Sequence, residues 1–410
     1  MRVRNLLLTV LALALAVPGL VACVQEVEVA PPSASHDTSD QRADLAQDAL
    51  DRLGRALEGG TREQAVEVAA EPSRGLLADV YDNAADLRID DLSLRYVADS
   101  GQLDGSQESE AGAGSWRASV QLAYRYAGLD QSPANLETSV VFAPEASGAR
   151  IVSFGGAGAR APLWLTDRLS VVRTGRTLVA VSGDAGRYPG LVTEARRQVR
   201  RTLPEWQGSL LVEVPASRAG LDDTLQAQPG QYDNIAAVTT TADGSLAPNA
   251  PVRVFVNPEV FGRLKTRGAQ VVMSHEATHV ATGATFASMP TWLLEGFADV
   301  VALADAGVPV PVAARQILRR IRTDGLPDGL PTSQDLDPTA DSLGATYEEA
   351  WLACRFLAQE YGTSRLVRFY RAVSHGTPTA EAFGSVLGTT QREFVTRWRA
   401  DLASLAGVAG

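Results

Sequence analysis

The sequence predicts an α+β protein in two units, a small one followed by a larger one whose C-terminal part is mainly helical. Three observations lead there. Between 116 and 154 apolar residues alternate with polar ones, the period of half-buried strands. Around 44–57, 191–203, 270–282, 292–301 and 347–361 the apolar spacing changes to three and four, the period of helices. The 410 residues are 45% hydrophobic, enough for two ordinary cores without covalent staples.

In chain order, Met1-Arg2-Val3-Arg4 is a positive start, Leu6 to Val17 is apolar, and Leu20-Val21-Ala22 leads to Cys23, which together read as a secretory signal over 1–23. Leu20 to Cys23 resemble a bacterial lipobox. That resemblance implies lipidation of Cys23 after cleavage, holding the mature protein on the outer face of a cell membrane. The competing reading is an uncleaved anchor helix, for which the apolar run falls short of the roughly 20 residues a span needs. Residues 24–40, with Pro31-Pro32 and several Ser and Asp, read as a flexible tether.

From Asp44, the positions Ala46, Ala49, Leu50, Leu53 and Leu57 mark an amphipathic helix that Gly59-Gly60 ends. Leu92, Leu94 and Tyr96 alternate, then Trp116 through Tyr126, Thr138 to Phe142 and Arg150 to Phe154. Helices before a curved sheet look like the NTF2-like cone fold over 41–158, a fold that implies no activity. Gly155-Gly156-Ala157-Gly158 lacks dinucleotide-site spacing and reads as a loop or linker. In the larger unit, 159–410, strands are expected at Leu178 to Val181, Ser209 to Val214 and Val252 to Val256, the last at the sheet edge, with a helix from Leu191 to Leu203 between the first two. Asp324 to Asp341, rich in Pro, Asp and Gly, reads as a mobile loop.

The chemistry is concentrated in His275-Glu276-Ala277-Thr278-His279 and in Glu295-Gly296-Phe297-Ala298-Asp299. Residues four apart share a helix face, so both imidazoles can close on one metal ion with Glu276 at the same cleft. Two neutral nitrogens leave zinc under-ligated. Glu295, on the next helix, would supply the third ligand and leave a fourth position open. That helix is signalled by the turn at Met289-Pro290, by Thr291 as N-cap, and by Trp292, Leu293, Phe297 and Val301 at helical spacing. Asp299, four residues past Glu295, either accepts the free ring N–H of a ligand histidine or lies on a solvated face.

These segments resemble the gluzincin zinc metallopeptidases, most closely the bacterial peptidase MA-like families, over about Pro251 to Leu405. The resemblance includes the helix Tyr347 to Tyr361 and the tail with Phe383, Phe394 and Trp398. It implies a zincin-like domain that binds Zn2+ through His275, His279 and Glu295, with Glu276 as general base and Asp299 behind a ligand histidine. The substrate would be a peptide or protein, cleaved by metal-activated water. Relatives use a downstream Tyr or His to stabilise the oxyanion, for which Tyr347 and His375 are the candidates; Tyr347 equally fits the core stripe through Ala350, Trp351 and Cys354. Aminopeptidase-like relatives carry a Gly-x-Met-Glu-Asn motif that is absent from Ala242 to Pro258, so an endopeptidase is expected. Val252 to Val256 either holds an extended peptide by main-chain pairing or is a plain strand of the sheet.

Charge and cysteines narrow the partners. The net charge is −11, which makes nucleic acid a poor partner, and the one basic cluster, Arg196-Arg197 with Arg200-Arg201, reads as a solvated helix face. Of the two cysteines, Cys23 is expected to be acylated, which leaves Cys354 a small buried hydrophobe with no disulfide partner. Two other functions fit the same residues. One is a non-catalytic surface module that binds peptide or scaffolds a complex through a zincin-like cleft; the other is hydrolysis of another amide, such as a cell-wall cross-link.

Overall fold

The computed structural model describes residues 35–409 apart from 102, 147, 229 and 337–341. The expected signal segment with Cys23, most of the tether, and part of the 324–341 loop therefore lie outside the described residues. Helix α1 (Ser35–Gly59) begins inside the segment expected as tether. Its first turns are polar and carry no apolar period, so the sequence reveals only the part from Asp44, where Ala46, Ala49, Leu50 and Leu53 are buried.

Helix α2 (Arg62–Glu67) starts on a capping box in which Thr61 and Gln64 satisfy each other's backbone donors, and α3 (Arg74–Leu87) follows. The chain then makes an antiparallel meander of β1 (Ile89–Asp99), β2 (Trp116–Tyr126), β3 (Ala134–Glu145) and β4 (Gly148–Phe154), with α4 (Gly105–Ala111) between the first two strands. Trp116, Ala118, Val120, Leu122, Tyr124 and Tyr126 all face one core with the apolar side of α1, as strict alternation requires.

After α5 (Leu163–Thr166) comes a second sheet of β5 (Leu169–Thr174), β6 (Thr177–Ser182), β7 (Leu210–Val214), β8 (Ala237–Thr241) and β9 (Val252–Val256). Its spatial order is β5-β6-β7-β9-β8, parallel in the middle and antiparallel at both edges. Helix α6 (Tyr188–Thr202) crosses from β6 to β7, and α7 (Arg218–Leu225) follows β7. One expectation is overturned here: β9 is an interior strand, and the edge is β8, which the sequence reading did not anticipate. The reason is pairing on both sides, with β7 along one and β8 along the other; both faces are covered as well, since Val254 and Val256 enter one core while Arg253 and Phe255 are buried on the other side.

The second sheet is walled by apolar residues on both sides. Val179, Val181, Val212, Val214, Val254 and Val256 join α6 and the later helices, whereas Leu178, Ala180, Leu211 and Ala242 belong to the core of the N-terminal meander. Arg253, fully buried, ties the two halves: it donates to Glu213 at 2.6 Å, to Tyr124 Oη at 3.1 Å and to Asp130 at 3.0 Å, and it lies 3.8 Å over the Tyr126 ring.

From β9 onward the described chain is helical. Short α8 (Pro258–Phe261) precedes α9 (Thr266–Thr282) and α10 (Thr291–Leu303); α11 (Val310–Ala313), α12 (Arg315–Asp324), α13 (Leu343–Tyr361), α14 (Thr363–Ser374), α15 (Thr379–Ala382) and α16 (Gln391–Ala406) complete it. Phe383, Phe394 and Trp398 pack in the core that α9, α10 and α13 share. Among the described residues no helix is long and apolar enough to cross a membrane.

Candidate metal centre

Two helices present the site. Helix α9 buries Ala269, Met273 and Ala277 in the core, which turns His275 and His279 toward α10 and Glu276 toward β8, and Gly283 ends it in a left-handed conformation (φ 66°). Helix α10 buries Trp292, Leu293, Phe297 and Val301, leaving Glu295 and Asp299 on the side that meets α9. Thr291 is not the N-cap: it is the first helical residue, preceded by Pro290, and its hydroxyl meets Ser333 Oγ at 2.9 Å. Gly296 lets α10 approach α13 closely, because a Cβ there would stand 2.3 Å from the Ala350 carbonyl oxygen and 2.8 Å from Cys354 Sγ. Cys354 is accordingly a buried packing residue.

His275, His279 and Glu295 offer ligand atoms that converge. The two Nε2 atoms are 2.9 Å apart, and Glu295 Oε2 lies 3.1 Å from His275 Nε2 and 3.5 Å from His279 Nε2. Tetrahedral zinc at its usual bond lengths needs ligand atoms about 3.3 Å apart, so the triangle has the right size. The donor set also fits. His275 Nδ1 lies 2.7 Å from Asp299 Oδ1, which assigns the Nδ1–H tautomer and leaves the Nε2 lone pair facing Glu295. Lone pairs brought this close in a largely buried pocket repel unless a cation lies between them.

The same demand is visible in the proton affinities. Burial disfavours a charged His275 ring, but the charge and hydrogen bond of Asp299, then those of Glu295, hold its pKa well above the ordinary value. Burial would raise Glu295, yet the two histidines pull it far below the usual carboxylate range. Burial pushes Glu276 upward, with His275, His279 and Thr239 opposing.

Glu276 is held by Thr239, whose hydroxyl donates to Oε2 at 2.7 Å and also lies 3.1 Å from the Glu276 carbonyl oxygen. Thr239 belongs to β8, so the edge strand touches the candidate base. The sequence reading missed Thr239, and it missed Gln198 of α6, which donates to the Val301 and Ala302 carbonyls and accepts from Ser274 Oγ at 2.7 Å. Only the polar residue inside the apolar face of α6 signals Gln198.

Tyr347 lies in the second turn of α13, half-buried; burial first, and then the charges of Glu295, Asp299 and Glu276, raise its phenol, which keeps it a proton donor. Tyr370, which the sequence did not single out, is buried, has its pKa pushed up to about 12 chiefly by burial, and bonds to Thr282 Oγ1 at 3.2 Å. His375 is exposed at the end of α14, with Nδ1 2.8 Å from the Arg371 carbonyl oxygen.

No protein-family model matches the chain, and no curated protein matches it. Among solved structures it is similar to a mutant M1 zinc metallopeptidase from Deinococcus radiodurans bound to a Tyr-Ser-Ala substrate, at 12% identity and TM-score 0.35 over 77% of this chain and 61% of that one. A second structure of that mutant gives 10% identity and TM-score 0.34, over 78% and 62% of the two chains. The chain thus spans less than two thirds of the length of these structures.

Proposed function

We propose that the protein is a zinc-dependent peptidase of the gluzincin type, an endopeptidase that hydrolyses peptide bonds with Glu276 as general base. The observation that carries this reading is the convergence of His275, His279 and Glu295 with Glu276 beside them. These three residues would hold Zn2+. When bound there, the ion supplies Lewis-acid polarisation of a carbonyl and water activation near neutral pH.

The chain's own residues do the rest. Glu276, kept basic enough by burial and aimed by Thr239, takes a proton from water and returns it to the leaving amine. Asp299 fixes the His275 tautomer. Tyr347, still protonated at neutral pH, is the donor assigned to the oxyanion. Strand β8, with one side free of pairing among the described residues, receives an extended peptide by main-chain hydrogen bonds, the role the sequence reading gave to Val252 to Val256.

The test is metal analysis joined to peptide-library cleavage on wild type and Glu276→Gln. About one zinc per chain is expected in both, with cleavage falling about 100- to 10,000-fold in the variant. Wild-type protein that is fully loaded yet cleaves nothing would sink the enzyme reading and favour the peptide-binding module.

By the same reading the protein is a lipoprotein, tethered through Cys23 on the outer face of the cell membrane, which rests on the segment Leu20 to Cys23. A palmitate analogue should label wild type; label retained by Cys23→Ser would refute this. The N-terminal unit is assigned to the NTF2-like class on element order, helices before an antiparallel sheet.

A further inference from the structure

Helix α6 carries Thr193, Arg196, Arg197, Arg200 and Arg201 at spacings of three and four, and so on one face. Placement of Arg200 and Arg201 near the helix C-terminus is an ordinary response to its dipole. That account does not reach Arg176. It comes from the tight β5–β6 turn, Thr174-Gly175-Arg176-Thr177, and lines the same groove of about 540 Å³ as the α6 residues.

Few carboxylates answer these charges. Glu194 takes Arg197 and Arg201, and Asp305 lies 3.0 Å from Arg201. Arg176, Arg196 and Arg200 have no acidic partner among the described residues. Arg196 is also positioned: its guanidinium sits 5.2 Å from the Trp206 ring centroid and donates to the Gly208 carbonyl at 3.1 Å. Burial, then the charges of Arg200 and Arg176, lower its pKa, the mark of a cation among cations. In a chain of net charge −11, five guanidiniums gathered from two elements into one concavity are not explained by solubility.

We propose that this groove binds a ligand presenting two or more phosphate groups. Guanidinium forks match phosphate oxygens in pairs, and a cavity of this size takes a small polyphosphate or a phosphorylated headgroup. The site is independent of the metal centre, and the proposal stands or falls apart from the peptidase reading.

The test uses the full chain carrying Cys23→Ser, so that no acyl chain can retain it, titrated calorimetrically at low salt with inorganic tripolyphosphate and with orthophosphate. Saturable binding at one site is expected, tripolyphosphate at least tenfold tighter, weakening as salt rises. Arg176→Ala with Arg200→Ala should weaken it at least tenfold at an unchanged melting temperature, both side chains being exposed. Absent saturation, or equal affinity in the double variant, overturns the proposal. Vesicles containing cardiolipin, whose headgroup carries two phosphates, distinguish the sources: binding lost in the double variant assigns a lipid headgroup, and tripolyphosphate binding without vesicle binding assigns a soluble ligand. Tighter binding of a single-stranded oligonucleotide, lost in the same variant, would overturn the small-ligand assignment in favour of nucleic acid.

Discussion

His275 is engaged through both ring nitrogens, Nδ1 toward Asp299 and Nε2 toward Glu295 and His279. A carboxylate behind a ligand imidazole fixes its tautomer and raises its basicity. Asp299→Asn keeps a group able to accept the Nδ1–H but removes the charge, so metal affinity should fall about 10- to 100-fold in competition with a chelator. Affinity equal to wild type would exclude Asp299 from the metal centre. The relation of these residues is legible in the sequence because each pair is set by a single helical turn: the histidines stand at positions i and i+4, and so do Glu295 and Asp299. Thr239 could not be read in that way. It reaches Glu276 across 37 positions, through a strand pairing that no local spacing encodes.

At the scale of elements, the approach of α10 to α13 depends on Gly296, the residue after Glu295. Gly296→Ala would drive a methyl into the α13 backbone and Cys354. Overpacking of this kind costs about 1–3 kcal/mol or more. Because α10 must then shift with Glu295 on it, zinc affinity should fall together with stability, as read by denaturant unfolding and chelator competition. Loss of stability with full zinc affinity would mean that the helix contact does not set the ligand. The sequence presents Gly296 only as one letter of a motif, while its reason lies in a helix more than fifty residues downstream. The sheet order was hidden for a related cause. Val252 to Val256 and Ala237 to Thr241 are both short, and which one is flanked on two sides depends on where distant strands pair.

At the scale of the whole molecule, Arg253 joins Glu213 of the second sheet to Asp130 and Tyr124 of the N-terminal half, with no exposure to water. Arg253→Met fills much of the volume but leaves two buried carboxylates without a counter-charge. A loss of about 3–5 kcal/mol is expected from equilibrium unfolding in denaturant. A change below 1 kcal/mol would mean that the network is incidental. In the sequence, an arginine within Val-Arg-Val-Phe-Val reads as the outward residue of an alternating strand. Only the presence of a second layer over the sheet makes that direction inward.

That covering layer decides what can be separated. On one face of the second sheet, Leu178 and Ala180 of β6 and Leu211 of β7 are roofed by the meander and kept from water. Cut near residue 159, the C-terminal portion would present an oily plank to solvent and adhere to its own copies. The C-terminal half is thus no detachable cassette; its inner sheet face depends for its cover on the preceding hundred-odd residues.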